Sequence, residues 1–230
     1  MINLINLIFI IFLSFLSAEF PIPKIPFNPE KYICYRANSE IVFDGIMNES
    51  DWKNAVWTDP FVDIQGDLKP KPYYNTQVKM LWDEDYFYFG AFMEENHLWA
   101  TLTERDAVIF HDNDFEIFLD PDGDTHNYYE LEVNAFNTIW DLLLLKPYRD
   151  QGRVAVDSWD IAGLKSAIHL DGTLNNPNDI DKSWSIEIGI PWKVLEECAN
   201  SYHPKNGEQW RVNFSRVHYD LDIIDGVYKK

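Results

Sequence analysis

The chain is short of cysteine, of positive charge and of the local signatures that mark most enzymes. Only Cys34 and Cys198 occur in 230 residues, so no disulfide framework and no C-x-x-C metal or redox motif is available. Two readings of the pair stay open: one disulfide closing a long loop, or two free thiols. There is no G-x-S-x-G elbow and no H-E-x-x-H, and the six histidines are scattered, which removes the usual grounds for nucleophilic or zinc catalysis. Lys and Arg number 19 against 38 Asp and Glu, a formal charge of −19. Such a surface repels phosphate backbones and anionic lipid, so nucleic acid is excluded as a partner, while calcium and neutral polar ligands such as sugars suit it. There is no internal repeat, no low-complexity tract and no alternation of strands with helices that would signal a parallel sheet.

What the chain has is aromatic residues and short alternating stretches. Aromatics make up 16% of it, with 9 Trp and 12 Tyr, a composition that favours strands and can supply flat faces to a ligand. The N-terminal MINLINLIFIIFLSFLSA is apolar from Leu7 to Leu16 and ends in small residues, as in a secretory signal peptide over residues 1–18. The expected location is therefore extracellular or periplasmic, with a membrane as partner only if this segment stays uncleaved. Residues 19–35 hold a proline-rich lead-in, and residues 36–230 the folded domain.

The domain is organised around HDNDFEIFLDPDGDTHNYYELEVNAFNTIWD, residues 111–141. Phe115, Ile117 and Leu119 alternate with Asp114, Glu116 and Asp120, and Leu131, Val133 and Ala135 with Glu130, Glu132 and Asn134. Both are period-2 strands around a turn-rich DPDGDTHN, so burying the apolar rows places both acidic rows on one face. Like charges opposed on a sheet repel, and an arginine, a metal ion or ligand hydroxyls must offset them. Asp120, Asp122 and Asp124 also present three alternating hard oxygen ligands in the turn. Calcium is one reading of these and a plain acidic turn the other. As an EF-hand the loop fails, because Thr125 and Leu131 stand where Gly and Glu are required.

Elsewhere, Ile41–Gly45 reads as a short strand, Asn48–Trp57 as a capped helical turn, and Gln77–Glu94 as a hairpin around Asp83-Glu84-Asp85. Further strands are expected at 139–145, 164–170, 184–190 and 210–214, and the one convincing short helix at 192–199 after Pro191. About ten strands without βαβ rhythm predict an all-β antiparallel sandwich of two sheets. Three functions fit its acidic face: ligand binding, an arginine-neutralised structural face without a sugar site, and paired-carboxylate hydrolysis of a glycosidic bond.

FDG then ESDWKNA, VKMLWDEDYFYFGAFM, DNDFEIFLD, YYELEVNAFNTIWD, WSIEIGIPWKVL and WRVNFSRV, in that order, resemble the family 9 carbohydrate-binding modules (CBM9). The resemblance implies an immunoglobulin-like sandwich, a non-catalytic role, a polysaccharide or oligosaccharide partner and a place in secreted glycan breakdown beside glycoside hydrolases. It also implies structural calcium. On the family's pattern Phe110 replaces a stacking Trp, Glu116 matches the carboxylate, and Glu132 falls where relatives carry an arginine, leaving Arg105 or Arg149 to fill that role. The expected glycan contacts are Phe110, Glu116, Arg105, Glu132, Asn134 and Trp140, and the family's second stacking aromatic and final strand would follow Lys230.

Overall fold

The computed structural model describes residues 28–201 and 203–230, so the signal-peptide expectation for residues 1–18 lies outside the described residues. The compact unit comprises Cys34–Lys230. The alternating segments become two five-stranded sheets. The first has the order β1 (Tyr35–Arg36), β2 (Thr76–Trp82), β3 (Tyr86–Glu94), β9 (Ser183–Pro191), β8 (Lys165–Asp171). The second runs β10 (Arg211–Ser215), β4 (Asp114–Asp120), β5 (Tyr128–Asn134), β6 (Ile139–Leu144), β7 (Ala155–Val156). β11 (Asp222–Ile224) and β12 (Val227–Lys229) form a separate hairpin. All pairings are antiparallel except the short β1–β2 contact. The all-β sandwich expected from the strand pattern is the fold observed.

The sheets meet through their apolar rows. Val78, Phe89, Ala91, Ile186 and Ile188 of the first sheet are fully buried, as are Phe115 and Val133 of the second. Phe214 of β10 packs at the junction, 5.9 Å from Phe89 and 6.0 Å from Phe115 between ring centroids. Each of these side chains larger than alanine contributes about 1.5–3 kcal/mol on burial. Arg216, just past β10, ties the layers together by donating to Thr76 Oγ1 (2.9 Å), the Glu94 carbonyl (2.8 Å) and Glu95 Oε2 (2.9 Å).

The first sheet is also covered on its outer side. Helix α1 (Ser50–Asn54) lays Trp52 against Leu81 and Tyr88, with Ala37, Ile41, Phe43, Met47 and Ala55 around it. Gly90 and Gly189 permit this, since a side chain at Gly90 would collide with the Met47 thioether and one at Gly189 with the Phe43 ring.

Two local expectations are corrected. Ile41–Gly45 is a loop rather than a strand, because its amides are satisfied by side chains: Val42 by Glu49, and Asp44 and Gly45 by Glu187. The segment after Pro191 is a 3₁₀ helix over Trp192–Glu197, while the α-helix lies at Ser50–Asn54. Buried Trp192 and Leu195 are three residues apart, and a three-residue turn aligns both with the core. Both cysteines are free, which removes the disulfide reading. Among the described residues no helix is long and apolar enough to cross a membrane.

Candidate functional site

β4 and β5 pair so that Glu116 faces Glu132, Asp114 faces Asn134, and Glu130 faces Phe118. On the far side of β5, Trp140 of β6 is opposite Glu132. Side chains of directly paired residues share a face, so the acidic rows lie together with Trp140 beside them. The place of Trp140 comes from the observed register; the shared face of the acidic rows follows from the alternation.

Their exposure does not. Asp114 (0%), Glu130 (2%), Glu132 (1%) and Glu116 (7%) are buried, so the carboxylates do not stand open to solvent as an acidic face suggests. Burial disfavours the charged forms, and the neighbours repel. Burial, with the Glu130 and Glu116 charges, pushes the Glu132 carboxyl up to about 9. Burial pushes Glu130 up to about 7 against a hydrogen bond from Tyr148. Burial, then the charges of Glu116 and Glu132, holds Asp114 well above the carboxylate range. Burial also raises Glu116, partly countered by a Ser215 hydrogen bond.

Phe110 stands at the open end of this face, 38% exposed, in a 3₁₀ turn over Ile109–His111. Its amide donates to Glu132 Oε2 (3.0 Å) and its carbonyl accepts from the Tyr219 hydroxyl (2.8 Å). Its ring lies 6.1 Å from that of Trp140, tilted by 36°. Lys230 Nζ sits 3.9 Å above the Tyr219 ring and donates to the His111 carbonyl (2.6 Å). The arrangement is a half-open aromatic group braced by a carboxylate beneath it. Such a surface can accept the apolar face of a pyranose while polar atoms at its rim meet the hydroxyls.

Not all the expected contacts gather here. Asn134 is fully buried and its amide is occupied: Nδ2 donates to the Leu102 carbonyl (2.8 Å) and Asp112 (2.9 Å), and Oδ1 accepts from Phe136 and Thr138 (both 3.0 Å). It shapes the β5–β6 turn and has no donor left for a glycan. Arg105 does not neutralise the acidic rows either. It holds Asp141 (2.6 Å) and Asp160 (3.1 Å), and Asp141 pairs with Leu131, on the opposite face from Glu132. Phe110, Glu116, Glu132 and Trp140 do come together. Tyr219, Tyr148 and Ser215 join them unforeseen; Tyr219 lies 109 residues from Phe110 with no pattern linking the two.

In the acidic turn, oxygens of Asp120, Asp122 and Asp124 lie within 4.8 Å of one another. They also cap the turn. Asp120 accepts from Gly123 (2.9 Å) and Thr125 (3.0 Å), Asp122 from Asp124 (3.2 Å), and Asp124 from His126 (2.7 Å).

A two-sheet sandwich with an aromatic-rimmed polar face is the architecture of a glycan-binding module. The chain belongs to the carbohydrate family 9 binding domain-like family, whose model matches residues 42–213. It is thus a carbohydrate-binding, non-catalytic module. No match is found among curated proteins. The fold is similar to a family 9 module from Caldicellulosiruptor kristjanssonii solved with cellotriose (TM-score 0.52, 19% identity, 80% of this chain and 75% of that one). The same module solved with glucose gives a TM-score of 0.52 at 20% identity, over 81% of this chain and 78% of that one. A Bacteroides uniformis protein is similar at a TM-score of 0.53 and 16% identity, over 72% of each chain.

Proposed function

We propose that the module is exported and binds a polysaccharide or oligosaccharide at the end of the second sheet, on the surface formed by Phe110 and Trp140, with Tyr219 at the rim. The observation that carries this reading is the half-exposed Phe110 ring beside Trp140, its backbone held from two sides by Glu132 and Tyr219. A ring fixed before the ligand arrives loses little freedom on binding, which favours affinity. The C. kristjanssonii module was solved with cellotriose and with glucose, so cello-oligosaccharides head the panel of glycans to try. Export rests on the apolar run from Leu7 to Leu16, and a role in glycan breakdown rests on the resemblance to family 9 modules.

Affinity electrophoresis against plant and algal glycans tests the site. The native protein is retarded by at least one glycan, and Phe110→Ala and Trp140→Ala lose that retardation while keeping their melting temperature. Equal migration of all three proteins in every glycan refutes the site. N-terminal sequencing of protein recovered from medium tests export, and a chain that still begins at Met1 refutes cleavage.

A further inference from the structure

We infer that Tyr148 is a second sugar-contacting surface on the same face, set so that the module prefers glycan chains of several units to single sugars. The inference rests on glycan binding at Phe110 and Trp140, and adds the length and course of the ligand to it. Surface tyrosines commonly bury the ring and leave the hydroxyl in water. Tyr148 does the reverse. Its hydroxyl donates to Glu130 Oε2, on a carboxylate residue only 2% exposed, while Tyr148 as a whole is 55% exposed. Burial, then the Glu130 charge, raise this hydroxyl, and Glu132 and Tyr128 contribute less, which places it over the acidic rows. The open part of Tyr148 is therefore its ring, a flat apolar surface that the core does not use.

The loop that carries Tyr148 is closed on itself. β6 pairs with β7 through Leu143–Val156 and Leu144–Ala155, and the Leu145 amide continues the ladder to the Val154 carbonyl (2.7 Å). Inside the loop the Asp150 amide donates to the Pro147 carbonyl (2.9 Å), and Lys146 Nζ donates to the Gln151 carbonyl. With its backbone tied and its hydroxyl fixed on Glu130, the ring loses little freedom when a ligand covers it. The strand register gives its place relative to the first surface. Glu132 pairs with Trp140, and Glu130, the anchor of Tyr148, stands two residues away on β5. Strand rise separates these two levels by about 6.6–6.8 Å. The Phe110 ring contacts those of Trp140 and His111, and none of the described ring contacts joins Tyr148 to this group. A single sugar stacked on Phe110 and Trp140 leaves Tyr148 bare, whereas a chain running along β5 covers both surfaces.

The test is calorimetric titration of the full chain with ligands of increasing length. The probes are glucose, cellotriose and cellohexaose, or the same sizes cut from whichever polysaccharide retards the native protein most. The native protein should bind the six-unit chain about tenfold or more tighter than the single sugar. Tyr148→Ala should weaken the six-unit chain by about 5- to 30-fold, the usual loss for a buried aromatic anchor, and leave the single sugar within about twofold. Phe110→Ala weakens every size. Tyr148→Phe keeps the ring and should hold the six-unit chain better than Tyr148→Ala. Both variants take the same hydroxyl from Glu130, so their difference reads the ring alone. Equal native affinity for one unit and six overturns the inference, as does a Tyr148→Ala protein that binds the six-unit chain like the native one. Loss of the single sugar in Tyr148→Ala refutes the length preference. A Tyr148→Phe protein as weak as Tyr148→Ala makes the residue only a hydrogen-bond donor to Glu130. If no glycan binds the native protein, the reading of the whole face falls and the extension with it. If Phe110→Ala weakens binding and Tyr148→Ala does not, the extension alone falls.

Discussion

Glu187 is the residue whose removal the fold answers most sharply. It lies on the outer side of β9, fully buried, and its two oxygens serve three donors. Oε2 accepts the amides of Asp44 (3.0 Å) and Gly45 (2.8 Å), and Oε1 accepts Trp52 Nε1 (2.8 Å). The carboxylate thus anchors both the loop that replaces the expected strand and the tryptophan that covers the first sheet. Glu187→Ala leaves these donors without an acceptor, at about 1–3 kcal/mol each. Burial raises the Glu187 carboxyl, tempered by the two amides, so removing the charge returns part of that loss. The net expectation is about 3–5 kcal/mol for Glu187→Ala. It is about 1–2 kcal/mol for Glu187→Gln, whose single oxygen can still face the two amides but turns an NH₂ toward Trp52. Urea unfolding reads this as a lower midpoint at unchanged slope. For a domain of this size about 4 kcal/mol corresponds to a melting-temperature drop on the order of 8–16 °C. Trp52→Phe completes a double-mutant cycle, and its coupling to Glu187→Gln should be about 1 kcal/mol. A Glu187→Ala protein within about 1 kcal/mol of native refutes the anchor, because three orphaned donors cannot be that cheap.

Three further outcomes follow from the same geometry. Arg105→Met strands the buried Asp141 beside Asp160; since the guanidinium is 44% exposed, the loss discounts to about 1–3 kcal/mol, and glycan retardation stays unchanged. Lost retardation in an intact fold would return Arg105 to the binding face. Burial pushes the Glu95 carboxyl up, but the His218 hydrogen bond and charge and the Arg216 charge outweigh it, leaving it below its ordinary value. A carboxyl lowered by folding adds stability above its unfolded pKa of about 4.3 and loses it as pH falls through the folded value. Acidification from about pH 5 to 3 should therefore lower the urea midpoint more steeply in native protein than in Glu95→Gln, and parallel profiles would contradict the pairing. Burial pushes the Cys34 thiol up to about 12 and also raises Cys198. Both should react slowly with iodoacetamide in native protein and fully in denaturant without reductant. Fewer than two reactive thiols in denaturant would restore the disulfide.

Much of the fold was legible because a strand's period is two. Phe115, Ile117 and Leu119 against Leu131 and Val133 leave only one parity that buries both rows, so Glu116 and Glu132 had to share a face. The same reasoning failed for Ile41–Gly45, where an apolar, β-branched run is a loop because Glu187, more than 140 positions away, answers its amides. Local preference cannot register an acceptor that only the fold brings near. Sandwich class, strand parity and the shared face of Glu116 and Glu132 were therefore determined by sequence alone, while Phe110 was pointed to only by the family resemblance. Alternation fixes which side chains share a face, but what lies over that face depends on chain elements far apart in sequence. Only the tertiary structure decided that the carboxylates are buried, that Arg105 serves Asp141 instead of the acidic rows, that Asn134 holds a turn, and that the Tyr219 hydroxyl bonds the Phe110 carbonyl.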